Sequence, residues 1–463
     1  MHFEGARVRR PLMALVAVAT VAMVATACVP PKPAPSSPTT TTKPKPSSPP
    51  PPPPPPQPTT TTKPPAASIC GVTALSAGPV AAEAPAKEAA DPNRYAAVVK
   101  HAGRSKELTR EVNTQDEIDQ FRADVAKQGE VLSFGADGEA HALAQTPTWG
   151  FNDAQFSTAW TETTATTGTG IRVAILDTGV LASHSDLTGH FDATPGADFT
   201  VNTTTPTLGV TTDPNGHGTH VSGIIAASDN TDGVVGGAPG VTLVPVRVLG
   251  AGGSGTYAAV AAGILWAADK NKGNASVISM SLGGGASASS VVTAVDTVED
   301  LTNANYTHPV IVVAAGNSTC VNPSFPASLS SDHPQVLAVS AVCKPGTTGR
   351  CTTANPFPSD GWRLADFSSL AWDGKGAPTG IAAPGVEIIS TYNDGGYTSL
   401  SGTSMATPFV AAAAALLVKH CPSDTPTQIV SRLETSAHDL GPTGPDTLYG
   451  YGMLDADNAV KGC

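Results

Sequence analysis

Arg172-Val173-Ala174-Ile175-Leu176-Asp177-Thr178-Gly179 is the stretch that decides the fold. An apolar strand opens into a carboxylate and a glycine turn, and further apolar runs follow at 241–249, 277–282, 310–315 and 336–342. A strand covered on one face alternates apolar and polar residues, whereas a continuous Val/Ile/Leu run marks burial on both faces. Helical stretches at 220–227, 256–270 and 405–419 alternate with these runs. The expected architecture is therefore α/β: a three-layer, doubly wound, mostly parallel sheet joined by βαβ crossovers. The Ala-rich run 406–418 is too short for a membrane span and reads as a buried core helix.

In open parallel sheets, ligands bind beyond the carboxyl ends of the strands. Four motifs sit at such ends. Asp177-Thr178-Gly179 closes the first strand, and Asn215-Gly216-His217-Gly218-Thr219-His220 places an imidazole between two glycines just before a helix. The strand 310–315 runs into Gly316-Asn317, and Ser401-Gly402-Thr403-Ser404-Met405-Ala406-Thr407-Pro408 puts a hydroxyl at a helix start, with Pro408 expected in the first turn. Serine becomes a competent nucleophile when a base takes its proton, and a buried carboxylate holds that base in one tautomer. The amide of Asn317 and the backbone N–H of Ser404 are the expected donors to a developing oxyanion. Taken singly, each motif is equally a turn, a loop or a helix cap; the four together point to nucleophilic catalysis.

The segments 173–180, 215–223, 278–284, 314–317 and 402–408 resemble the subtilisin-like serine peptidases, the subtilases, and the resemblance runs from about residue 149 to the carboxyl end. It implies a sheet of subtilisin type, Asp177, His217 and Ser404 as a triad, Asn317 as oxyanion donor, no cofactor for catalysis, and a monomer acting on protein or peptide substrates. It also implies that an extended peptide pairs with Gly253, Ser254 and Gly255 on one side and Ser281, Leu282 and Gly283 on the other, a β-augmentation mode. Ser324, before Phe325-Pro326, falls where the family forms the floor of its first specificity pocket, and the absence of charge there predicts a preference for apolar or uncharged side chains. The segments 183–187 and 227–234 read either as an acidic surface loop or as the two parts of a subtilase calcium site, with Asp186 and Asn230 as side-chain ligands. Two other classes are an inactive scaffold that only binds peptides, against which the full set of Asp177, His217, Ser404 and Asn317 argues, and a structural cell-surface protein with the Pro/Thr tether as its working part, which predicts no hydrolysis at all.

Upstream of this region the composition changes. Residues 1–28 carry a basic head (Arg7, Arg9, Arg10), an apolar stretch, and Ala25-Thr26-Ala27 before Cys28, the order of an export signal. Cys28 is either the acylated acceptor of a bacterial lipoprotein, which would anchor the chain to a membrane, or an incidental neighbour of the cleavage site. Residues 29–67 hold 18 of the chain's 42 prolines and read as a disordered Pro/Thr-rich tether, because proline fixes φ and donates no backbone hydrogen bond. Residues 68–148 read as a small α+β unit in the place of a subtilase propeptide, with a strand at 94–99, a helix at 116–127, and a hairpin of 130–134 with 140–143 around Asp137-Gly138. The catalytic region is 149–463. Residues 1–67 are net +6 and the chain is net −12, which leaves −18 for the rest and speaks against nucleic acid as its partner. Acylation of Cys28 would leave six cysteines, an even set for an extracellular or cell-surface location.

Overall fold

The computed structural model describes residues 94–463 apart from 102–103, 112–114, 129, 137–144, 146, 163–166, 194–195, 286, 345–349, 351–360, 375–377 and 462. The export signal, the tether, Cys28, Cys70, Cys351 and the segment 140–143 lie outside the described residues. The amino-terminal unit opens with β1 (Arg94–His101) and β2 (Arg104–Glu111), an antiparallel pair, followed by α1 (Gln115–Ala126) and β3 (Glu130–Ala136). β3 returns to the other edge of β1, giving the order β2-β1-β3. β3 thus pairs with the first strand, and the second arm of the expected hairpin, 140–143, falls outside the described residues. β2, read as Arg-Ser-Lys-Glu-Leu-Thr-Arg-Glu, gave no strand signal, since edge strands tolerate charge where a central one would not.

The large region continues with α2 (Trp149–Asp153), α3 (Phe156–Glu162), β4 (Arg172–Asp177), the two-residue strands β5 (Ala197–Asp198) and β6 (Thr207–Leu208), α4 (His217–Ala226), β7 (Thr242–Arg247) and α5 (Tyr257–Ala268). Then come β8 (Val277–Met280), α6 (Ser289–Glu299), β9 (Val310–Ala314), β10 (Val336–Cys343), β11 (Arg363–Leu364), β12 (Ile381–Pro384), the hairpin β13 (Ile388–Thr391) and β14 (Tyr397–Leu400), α7 (Thr403–His420), α8 (Pro426–Thr435) and α9 (Ala456–Lys461). The sheet runs β11-β10-β9-β8-β4-β7-β5-β6, with β12 also on β10, and every pair is parallel except β10–β11 and β5–β6.

β4 shows why both faces had to be apolar. Val173 and Ile175 pack into the layer that contains α4 and α7, while Ala174 and Leu176 pack into the layer that contains α5 and α6. All four are at most 1% exposed. Beyond β7 the chain crosses to the other side of β4, where β8 pairs, so β4 is the switch strand. The crevice beyond its carboxyl end is the natural place for a ligand. α7 is the core helix, buried from Met405 to Leu417, and no helix among the described residues is long and apolar enough to cross a membrane. A disulfide joins Cys421, just after α7, to Cys463, and Cys320 and Cys343 are each disulfide-bonded.

Candidate active site

Asp177 ends β4 with its side chain 1% exposed, and His217 opens α4 with its side chain 26% exposed. The two meet: His217 Nδ1 lies 2.8 and 3.0 Å from the Asp177 carboxylate oxygens, so Nδ1 carries the hydrogen and Nε2 is the free nitrogen. The approach depends on Gly218, where a Cβ would sit 2.1 Å from the Gly179 carbonyl oxygen. Burial pulls the His217 pKa down, but the charge and hydrogen bond of Asp177, with a smaller push from Asp213, outweigh it and leave the pKa raised. His220, one turn on, is different. Burial takes its pKa down to about 4, and its Nε2 faces the carbonyls of Ile388 and Thr398.

Ser404 is the second residue of α7. Pro408 lies inside the helix rather than in its first turn, so the Ser404 carbonyl loses the N–H that would normally reach it from four residues on. The Ser281 hydroxyl replaces that donor at 2.8 Å. In return the Ser404 hydroxyl donates to the Ser281 carbonyl at 3.4 Å, and among the described residues no hydrogen bond links Ser404 to His217. Both residues line one cleft, and such bonds commonly form only when substrate is bound.

Asn317 follows β9 and is oriented by a residue of the Ser404 motif that the sequence gives no role of its own. Thr403, fully buried, donates from its backbone N–H (2.9 Å) and its hydroxyl (3.1 Å) to Asn317 Oδ1, and its hydroxyl accepts the Gly316 N–H at 3.2 Å. With Oδ1 fixed, Nδ2 is left as a donor that makes no hydrogen bond among the described residues. Asp213 is another residue that the sequence did not single out. It sits in an Asp-Pro-Asn-Gly segment that reads as a turn, yet it is only 5% exposed.

Two cavities flank Ser404. One, of about 440 Å³, is lined by His217, Gly253, Ser254, Gly255, Ser281, Leu282 and Gly283; the other, of about 560 Å³, by Ser281, Leu282, Gly283, Asn317 and Ser324. All seven residues expected to meet substrate therefore line the cavities beside Ser404. Among the described residues no charged side chain lines the second cavity, and Ser324 Oγ donates to the Ala315 carbonyl at 3.0 Å.

The residues read as calcium ligands also come together. Asn230 Nδ2 is 3.2 Å from Asp186 Oδ1, and Gln145, unnoticed in the sequence, points its amide at the carbonyls of Ser228 (2.8 Å) and Val234 (3.5 Å). Side-chain amide oxygen and nitrogen are interchangeable by a flip. Flipped, Gln145 would add an oxygen to those of Asp186, Ser228 and Val234 at edge lengths of ~3 Å, which suits a hard cation with ligands at roughly 2.4 Å. The orientation of the Asn230 amide is set by the Asp232 N–H, which its Oδ1 accepts at 2.7 Å, so the oxygens of Gln145, Asp186, Ser228 and Val234 are the set that suits Ca²⁺. Separately, Asp296, Glu299 and His333 form a group able to hold a metal ion, with ligand atoms all within 4.8 Å of one another.

A parallel α/β sheet whose switch-point cleft gathers a buried carboxylate, an imidazole and a helix-start hydroxyl has the layout of the serine peptidase class. Comparison with known proteins makes the class specific: a profile of the subtilase family matches residues 168–452, and the chain belongs to that family of serine endopeptidases. It is 38% identical to subtilisin DY of Bacillus licheniformis over 294 residues, 64% of this chain and 92% of that protein. It is 37% identical to subtilisin Savinase of Lederbergia lenta over 319 residues, 69% of this chain and 100% of that protein. Alkaline elastase YaB of Bacillus sp. (strain YaB) is 35% identical over 347 residues, 74% of this chain and 78% of that protein.

Proposed function

We propose that the chain is an exported serine endopeptidase, made as a precursor, that cuts extended protein segments through Asp177, His217 and Ser404. The observation that carries this reading is the Asp177–His217 pair at 2.8 Å in one cleft with Ser404. Rotation of the Ser404 hydroxyl from the Ser281 carbonyl to His217 Nε2 lets the imidazole take its proton as the oxygen attacks the scissile carbonyl. Asp177 stabilises the imidazolium that results, which later protonates the leaving amine. Asn317 Nδ2 and the Ser404 N–H, at the positive end of α7, donate to the oxyanion. Peptide lies between residues 253–255 and 281–283, and the uncharged cavity at Ser324 takes an apolar or uncharged side chain. Gln145, Asp186 and the carbonyls of Ser228 and Val234 hold a structural Ca²⁺ that takes no part in the chemistry; EDTA should lower the melting temperature.

Residues 1–28 direct export, 29–67 tether, 68–148 act as the propeptide-like unit, and Cys28 carries a lipid that keeps the enzyme at the outer cell surface. A diacylglyceryl mass on the mature amino terminus supports the anchor, and an unmodified Cys28 removes it. The central test uses casein and a fluorophosphonate probe. Wild type should cleave and label, Ser404→Ala should do neither, and labelling that survives in Ser404→Ala would overturn the assignment. A peptide library cut mainly after Lys or Arg would overturn the specificity.

A further inference from the structure

Asp213 is a buried carboxylate that makes no ion pair among the described residues, an arrangement that is costly unless hydrogen bonds and a function offset it. Four donors converge on it. Oδ1 accepts from Thr178 Oγ1 at 2.8 Å and from the Asn215 N–H at 3.0 Å; Oδ2 accepts from the Thr219 N–H and hydroxyl, both at 2.8 Å. Thr178 follows Asp177 directly, and Asn215 and Thr219 flank His217. The Thr178 hydroxyl also accepts the Gly218 N–H at 3.0 Å, which completes a link from the end of β4 to the first turn of α4.

We propose that Asp213 is a positioning residue for the Asp177–His217 pair, holding the two segments in register and placing a second negative charge beside the imidazolium. The proposal rests on the peptidase reading and deepens it. Four donors on one carboxylate require an acceptor with no hydrogens of its own, so an asparagine would turn its NH₂ toward two of them. The charge acts in the same direction as Asp177, and it helps to raise the His217 pKa against burial. The other ionisable groups near His217 do not supply that field. His220 is neutral above about pH 4, Tyr392 OH donates to the Asn215 carbonyl, Tyr257 lines the cleft, and among the described residues no Lys or Arg lines it.

The test uses the full chain in two backgrounds. In Ser404→Ala protein, which cannot digest itself, His217 is titrated by NMR with and without Asp213→Asn; its pKa should fall in the Asn variant and stay in place in Thr178→Val, which keeps the charge. In active protein, Asp213→Asn should lower kcat on a peptide substrate about tenfold, KM should change less than twofold, and the acid limb of kcat/KM should move to lower pH. Melting alone would fall for a merely structural residue, so an unmoved titration with unchanged kcat overturns the proposal. Should Asp213→Asn not fold, Thr178→Val and Thr219→Val decide it: unchanged kcat in both overturns the positioning role, and a tenfold loss at constant KM supports it. A wild-type chain that resists the fluorophosphonate probe would sink the peptidase reading, while the NMR titration would still decide whether Asp213 governs His217.

Discussion

Thr403→Val removes one hydroxyl and little volume from a fully buried position. Of the two hydrogen bonds that fix Asn317 Oδ1, the backbone one at 2.9 Å survives and the hydroxyl one at 3.1 Å is lost. The Gly316 N–H, half-buried, loses the hydroxyl that accepts it at 3.2 Å. Water reaches part of that donor, so the loss sits at the low end of the cost of an unpaired group, about 1 kcal/mol in denaturant unfolding. The catalytic cost is separate. If Thr403 only orients the Asn317 amide, losing one of two bonds removes on the order of 1 kcal/mol of transition-state stabilisation, about fivefold in kcat, with KM nearly unchanged because the oxyanion exists only along the reaction path. Asn317→Leu removes the donor itself and should cost about 10²–10³ in kcat, a magnitude measured in a subtilisin rather than worked from this chain. Steady-state kinetics on the two single variants and the double variant test the coupling. If Thr403 acts through Asn317, adding Thr403→Val to Asn317→Leu costs nothing further in kcat. Fully additive losses, or a loss in KM in place of kcat, would refute the reasoning.

Ser281→Ala strips the Ser404 carbonyl of the donor that Pro408 cannot provide, and should cost about 1–3 kcal/mol of stability. Pro408→Ala restores an N–H on the helix, so Ser281→Ala should cost less in that background, and an equal cost in both would show that the two donors do not substitute for each other. Gly218→Ala places a methyl against the Gly179 carbonyl oxygen and pushes His217 away from Asp177; kcat should fall about 10²-fold, and retention of full activity would count against the close approach. Glu434 is held near pKa 7, up from 4.5, by burial, which outweighs the Gly380 N–H that it accepts at 3.0 Å. The unfolded chain ionises this group first, so the fold loses stability as pH rises from 4.5 through 7. Glu434→Gln keeps an oxygen for Gly380, and should be neutral at pH 4 but more stable than wild type at pH 8, by at most ~3 kcal/mol. The same difference at both pH values would refute it.

The strands β4, β7, β8, β9 and β10 were legible because a strand covered on both faces has no polar positions to hide its outline. Asp177, His217, Asn317 and Ser404 were legible because each stands where an apolar run meets a glycine-rich turn or a helix start. β2 was hidden by its charges, and β12 by its length of four residues with a proline at its end.

What the sequence determined by itself was therefore the α/β class, the strand ends and the candidate residues placed on them. The tertiary structure alone decided that β8 crosses to lie beside β4, that the Ser281 hydroxyl supplies the hydrogen bond Pro408 withholds, that Thr403 orients Asn317, and that Asp213 gathers Thr178, Asn215 and Thr219. Apolar periodicity records how much of a strand is buried, and that is a local property. A polar side chain that bonds to a residue 35 or 123 positions away leaves no periodic trace, because its partner is set by the register of the sheet and the position of the helices, which the chain acquires only on folding.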